Sequence, residues 1–252
     1  MHEVYNPKFL YQKEAIKDCI ANFEAKGILF VDGKRNKIRL FEIEGITLNV
    51  KSFKIPNFVN QVAYKFFRRS KARRSFEFAN ILLEKGIGTP QPIAYFENFK
   101  NVLYDSYYIS EQLEADLTFR ELTTDLNYPD HEMILRQFTQ FSFNLHENGI
   151  EFLDHTPGNT LIKKRTEGKY DFFLVDLNRM QFHKSMTLKQ RIVNLSKLTP
   201  KRELVEVMSD EYAKLYGKPY EEILEMMIAE TESFRNRFYR KKRIKKRLLF
   251  WK

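Results

Sequence analysis

The chain has 252 residues, a formal net charge of +10, many Phe and Tyr side chains and few Gly or Pro. That length is enough for a substantial core in one two-lobed domain or two small ones, and the composition excludes low-complexity, collagen-like and solenoid classes. The single Cys19 excludes an intramolecular disulfide, and no segment approaches the ~20 apolar residues needed to span a bilayer.

In chain order, the start Met-His-Glu-Val-Tyr-Asn-Pro lacks the basic residues and apolar run of a signal peptide. Residues 27–54 predict strands. Ile28, Phe30 and Val31 precede an Asp-Gly-Lys-Arg-Asn turn, then come Ile38, Leu40, Phe41 and Ile43. After Gly45, alternation sets Ile46, Leu48 and Val50 on one face and Thr47, Asn49 and Lys51 on the other. Asn57 caps a predicted helix with a 3.6-period stripe of Phe58, Val59, Val62, Ala63, Phe66 and Phe67. Ser70 opens a second helix, with Ala72, Phe76, Ala79, Leu82 and Leu83, closed by Gly86. Two more strands follow, the second reaching a connection near Glu111 and Leu113. The run Leu135, Phe138, Phe141, Phe143, Leu145 predicts a helix ending at Gly149. Residues 187–238 predict further helices that complete a mainly helical second half.

The chemistry concentrates in residues 145–178. Asp154 stands five positions before Asn159, two short strands follow around a charged turn, and the second delivers Asp176. In kinase-type phosphoryl transfer one Asp accepts the proton of the attacking hydroxyl, while an Asn and a second Asp hold magnesium against the nucleotide phosphates. An Asp and an Asn at this spacing are weak alone. Helix, acidic loop, hairpin and acid in that order give the pattern its weight.

The same template assigns work upstream. Lys51 is the candidate for the α- and β-phosphates of ATP, with Lys54 the alternate. Glu77, beside the apolar face of its helix, is expected to pair with Lys51, against a local pairing with Arg73 or Arg74. Backbone groups around Glu111 and Leu113 are expected to meet adenine. The turn at residues 32–36 is the only candidate phosphate cover, and it is not Gly-x-Gly-x-x-Gly. His146 is expected to brace the loop and His155 to touch substrate; their spacing matches no metal site.

With those motifs in view the chain resembles the lipopolysaccharide kinases, the Kdo kinase and heptose kinase group. The resemblance rests on Val50-Lys51-Ser52-Phe53 with Lys54-Ile55-Pro56, residues 70–77, Gly86-Ile87-Gly88-Thr89-Pro90-Gln91-Pro92, Leu145-His146 with Gly149-Ile150, residues 154–159 and Val175-Asp176. It implies an α+β, two-lobed protein-kinase-like fold. An antiparallel-sheet N-lobe would occupy residues 1–112, a mainly helical C-lobe 113–234 and a basic aromatic tail 235–252. It implies transfer of the ATP γ-phosphate to a sugar hydroxyl, most of all on Kdo-lipid A, at the cytoplasmic face of the inner membrane. Lys51 and Glu77 would orient phosphates, Asp154 would be the base, and Asn159 and Asp176 would bind Mg2+. The family's Asp-Phe-Asp or Asp-Phe-Gly is here Asp176-Leu177-Asn178, which brings Asn178 near the metal position. The Arg of a protein-kinase His-Arg-Asp is Leu153, and no activation segment follows. Alternatives are a soluble aminosugar-type phosphotransferase, an atypical protein kinase and a pseudokinase scaffold.

The charge is uneven. Ten of the 43 cations lie in residues 235–252, which hold no acid, and the rest balances at 33 of each sign. Cations beside Phe238, Tyr239, Leu248, Leu249, Phe250 and Trp251 suit an anionic membrane surface. A solvated terminus and nucleic-acid binding are the other readings of that segment, the latter the weaker.

Overall fold

The structure is a computed structural model describing residues 1–34, 36–54, 69–99 and 103–249, the last two as backbone only. The helix expected from Asn57, with its cations Lys65 and Arg68, and the aromatic pair Phe250 and Trp251 lie outside the described residues. Two compact units are present: residues 1–114 with 175–179, and residues 115–174 with 180–252.

The first unit is built on one antiparallel sheet. Its strands are β1 (His2–Tyr5), β2 (Ile28–Asp32), β3 (Asn36–Ile43), β4 (Ile46–Phe53), β5 (Pro92–Phe99) and β6 (Leu103–Glu111), in the order β1-β5-β6-β4-β3-β2. The alternation read from the sequence sets the packing. Leu48 and Val50 are fully buried in a core with Ile16, Phe23, Phe41, Phe96 and Ile109. Helix α1 (Lys13–Ala21) supplies Ile16, Cys19 and Ile20 to it. A smaller cluster of Phe53, Ala72, Phe76 and Tyr95 joins the sheet to helix α2 (Lys71–Glu84). Ser70 caps α2 through its hydroxyl, which accepts from the Arg73 N–H, and Gly86 follows with φ of 69°.

The second unit is mainly helical: α3 (Phe119–Thr124), α4 (His131–Glu147), α5 (Leu188–Leu195), α6 (Arg202–Tyr216) and α7 (Tyr220–Leu249). Strands β7 (Leu117–Thr118), β9 (Thr160–Thr166) and β10 (Lys169–Leu174) form one small sheet. Strands β8 (Ile150–Phe152) and β11 (Met180–Phe182) form another. Its core runs from Phe119, Leu122 and Phe138 to Ile192, Met208, Tyr212 and Ile223. Residues 235–249, expected as a separate tail, continue α7. Nothing between Tyr220 and the end is Gly or Pro, so no residue stops the helix. Beyond residue 234 its described side chains are exposed, Phe238, Tyr239 and Ile244 among them.

Gly149 fixes how the chain leaves α4. It has φ of 69°, its carbonyl accepts from the His183 N–H at 2.8 Å, and a Cβ there would stand 2.0 Å from the His183 carbonyl oxygen. The Gly149→Ala substitution is expected to lower the urea-unfolding free energy by about 2 kcal/mol or more, from left-handed backbone and overlap together. A loss within error of zero would show that the β8–β11 pairing does not constrain this turn.

Candidate active site

In the first unit, β4 carries Lys51 and the turn after β10 carries Asp176. Lys51 Nζ donates to Asp176 Oδ1 at 2.8 Å, with 12% of the Lys51 side chain and 39% of the Asp176 side chain exposed. Asp176 has φ of 60°, a left-handed backbone that costs a non-glycine residue about 1 kcal/mol. Such strain is found where neighbours over-determine the geometry. Here Asn178 Nδ2 also donates to Asp176 Oδ1 at 2.8 Å, so one oxygen is fixed by an ammonium and an amide. Lys54, the alternate, is exposed past the end of β4.

The expected Lys51–Glu77 pair is not formed. Both carboxylate oxygens of Glu77 are taken by arginines: Oε2 accepts from Arg69 Nη1 at 2.7 Å and Oε1 from Arg73 Nε at 2.8 Å. Arg73 lies one helical turn back, where an (i, i+4) partner costs no rearrangement, and Lys51 finds its carboxylate on Asp176 instead. At the end of β6, Glu111 N–H donates to the Gln91 carbonyl at 2.9 Å, so adenine could be met at that residue only by the carbonyl. The Leu113 carbonyl accepts from Gln112 Nε2 at 3.2 Å, and Gln112 Oε1 in turn accepts from Asn49 Nδ2. The 32–36 turn is closed by Gly33 N–H to the Asn36 carbonyl at 3.0 Å.

In the second unit the loop from Phe152 to Asn159 is held carbonyl by carbonyl. The Phe152 carbonyl accepts from Asn194 Nδ2 at 2.7 Å, and that of Leu153 from Lys197 Nζ at 2.8 Å. The Asp154 carbonyl accepts from the Thr156 N–H at 2.7 Å and from Asn159 Nδ2 at 2.8 Å. The side chains of Asp154 and Asn159 are partly exposed. Because the Asn159 amide nitrogen is committed to the loop, its Oδ1 is the atom available in kind to a cation. A carboxylate and an amide oxygen are hard donors, the type magnesium takes beside phosphate oxygens, so Asp176 in the first unit and Asn159 in the second are each the kind of group that ion takes.

Beneath the loop lie two histidines. Both rings are fully buried. His146 Nε2 and His155 Nδ1 lie 3.2 and 3.1 Å from the same Asn194 Oδ1, and His146 Nδ1 lies 2.9 Å from the Tyr212 hydroxyl. An amide oxygen only accepts, so both rings donate to it, and Tyr212 donates to His146. His146 therefore braces the loop as expected. His155 was expected at substrate; its complete burial beside Asn194 makes it a second brace instead. Asn194 and Tyr212 were not among the expected residues, and the one sequence signal for Asn194 is a polar residue within the apolar spacing of Ile192, Leu195 and Leu198.

Burial, the largest cause, pushes the pKa of His146 down to about 3 and of His155 to about 4, while the Asn194 contact works weakly the other way. Unfolded, both titrate near 6.5. Below that value the unfolded chain binds the additional protons, so stability is fully present above pH 6.5 and falls as pH drops toward 4. Between pH 6 and 5 each histidine is expected to remove about 1 kcal/mol of unfolding free energy. The His155→Gln substitution should flatten the measured slope by one such share; an unchanged slope would mean that His155 is not held neutral.

Comparison with known proteins places this geometry. The solved structure of WaaP in complex with acyl carrier protein is similar over 95% of this chain and 100% of that one, with a TM-score of 0.65 and 16% identity. A MAP kinase from Leishmania major, LmaMPK10, is similar over 85% of this chain and 65% of that one, with a TM-score of 0.49 and 15% identity. No curated protein sequence matches. The fold is protein-kinase-like, with an antiparallel-sheet part and a helical part. The model of the lipopolysaccharide kinase (Kdo/WaaP) family matches residues 54–217, well over half the chain. The chain belongs to the lipopolysaccharide kinase (Kdo/WaaP) family, whose members are phosphotransferases acting on sugar hydroxyls.

Proposed function

We propose that this kinase of lipopolysaccharide core sugars transfers the γ-phosphate of ATP to a hydroxyl of Kdo on a lipid-linked acceptor. The observation that carries the reading is the Lys51–Asp176 ion pair, which joins residues 125 positions apart. It unites the cation suited to nucleotide phosphates with the carboxylate suited to their metal. Asp154 accepts the proton of the sugar hydroxyl as its oxygen bonds to the γ-phosphorus, and ADP departs with the electrons of the broken P–O bond. Lys51 meets the α- and β-phosphates. Asn159 and Asp176 would hold magnesium, which would supply charge neutralisation for the phosphates. Glu77, tied to Arg69 and Arg73, acts on α2 rather than directly on Lys51. Glu111 and Leu113 offer backbone groups to adenine.

Among the described residues no helix is long and apolar enough to cross a membrane. The acceptor is reached instead from the membrane surface at the inner face of the inner membrane, with the cationic end of α7 on anionic headgroups. Each cation there contributes about 1 kcal/mol. Buried contacts of α7 end at Thr231, so removing the segment after Phe234 leaves the core intact.

Two outcomes check this. Label from γ-labelled ATP with magnesium is expected on a Kdo-lipid A precursor and not on a generic protein, with Asp154→Ala slowing transfer roughly 10²- to 10⁴-fold. Label on protein alone would reject the sugar acceptor. Deleting residues 235–252 is expected to release the protein from anionic vesicles while ATP binding persists. Retention on vesicles would remove the membrane role of residues 235–252.

A further inference from the structure

The second unit holds a cation that the roles above leave unused. Arg120 stands on α3, between the fully buried anchors Phe119 and Leu122. The Phe119 ring stacks on Phe138 at a centroid distance of 3.9 Å. A capping box of Thr118 and Glu121 fixes the helix start. The helix packs against the Pro157–Asn159 turn of the catalytic loop. There the Nε–Nη2 edge of the Arg120 guanidinium faces Gly158: a Cβ at that position would stand 2.8 Å from Nη2, 3.3 Å from Nε and 3.5 Å from Cζ. Any residue but glycine would push the guanidinium away. Gly158 has an ordinary φ, so close approach, not backbone conformation, is what the glycine provides.

Among the described residues no neighbour neutralises the charge of Arg120. The Glu121 carboxylate accepts from the Thr118 N–H at 2.6 Å and from its hydroxyl at 2.9 Å. Asp116 accepts from the Lys164 N–H at 2.6 Å. Among the described residues the guanidinium makes no hydrogen bond or ion pair, and the residue is exposed. A planar fork with five N–H donors, carried by a capped helix and set against Gly158, next in sequence to Asn159, suits a planar oxyanion. The nucleotide phosphates are already provided for by Lys51 and Asp176. The anion left to bind is on the acceptor, whose hydroxyl Asp154 receives.

We propose that Arg120, seated on Gly158, binds the carboxylate of the acceptor sugar and so selects an acidic sugar over a neutral one. This deepens the Kdo reading above and rests on it. Specificity of this kind is steep, because a site built around a charged hydrogen bond loses much more than packing when the partner group is absent. Arg120 is thus an acceptor-binding residue, and Gly158 a positioning residue that gives it room.

The test compares steady-state transfer by the full chain, Arg120→Gln, Arg120→Lys and Gly158→Ala. Acceptors are a Kdo-bearing glycolipid and the same glycolipid with its carboxyl reduced to the alcohol. Arg120→Gln is expected to raise the KM for the acidic acceptor roughly 10- to 100-fold, the range of a charged hydrogen bond, with little movement in the KM for ATP. Arg120→Lys should restore part of that loss, and Gly158→Ala should reproduce part of it with the charge still present. On the reduced acceptor wild type and Arg120→Gln should perform alike, because the partner group is gone. An equal loss on both acceptors, or a fall in kcat with the acceptor KM unmoved, would overturn the carboxylate assignment while leaving the Kdo kinase intact. Transfer by wild type to neither acceptor would reject the Kdo reading and this assignment together. Matching unfolding midpoints for the four proteins, expected because residue 120 is exposed, separate a binding loss from a folding loss.

Discussion

Two imidazole N–H groups, from His146 and His155, converge on the single amide oxygen of Asn194, and the other end of that amide holds the Phe152 carbonyl. The arrangement works only if both rings are neutral, each with its proton on the nitrogen that faces the amide. Burial enforces the first condition, since a charged ring in this interior would lose its hydration without a counter-ion. The amide enforces the second. An amide suits both tasks because its acceptor and its donor are separate atoms, Oδ1 toward the rings and Nδ2 toward the loop. Tyr212 completes the set by donating to the remaining nitrogen of His146. The arrangement has a cost: among the described residues His155 Nε2 is buried without a partner, a penalty of about 1–3 kcal/mol. The chain tolerates it because the alternative tautomer would put a bare nitrogen against the amide oxygen.

The first unit solves the opposite problem, holding charges in place rather than excluding them. Lys51 is mostly buried and Asp176 is not, so their pair lies between the weak surface case and the costly interior one. Its value is orientation. One oxygen of Asp176 is engaged by Lys51 and Asn178, which aims the carboxylate against the preference of its own backbone. A ligand bearing phosphate and metal would compete for both partners at once, and a half-exposed pair yields to such a ligand at modest cost. Glu77 shows the contrast. Two arginines saturate it, and it serves to tie Arg69 to α2.

Local signals in the sequence carried local structure. The Ser70 cap, the glycines at 86 and 149, and the alternation of Leu48 and Val50 against Lys51 each depend on a few neighbouring residues, and each lies where the pattern puts it. The hairpin between Asn159 and Asp176 was legible for the same reason. Partner choice was not. Glu77 had cations one turn away and another across the sheet, and spacing alone cannot rank them. His155 looked functional because it follows Asp154 directly; its burial depends on Asn194, 39 residues on. The extent of α7 could have been read from the lack of Gly and Pro after Tyr220, but a run of like charge suggested a separate tail.

The departures from a regulated protein kinase now have a common physical basis. Where such a kinase has an Arg before its catalytic Asp, ready for an added phosphate, this chain has Leu153. Its carbonyl is held by Lys197, while the carbonyls on either side are held by Asn194 and Asn159. Each of these supports comes from a neutral amide or a fixed ammonium already in the fold. None waits for a modification to create it. A loop pinned at three successive carbonyls has its geometry set when the second unit folds, which leaves control of the reaction to the arrival of substrates. For a kinase of lipopolysaccharide sugars the quantity worth selecting is then recognition of the acceptor, and an exposed arginine set against the loop at Gly158 is the kind of residue that recognition requires.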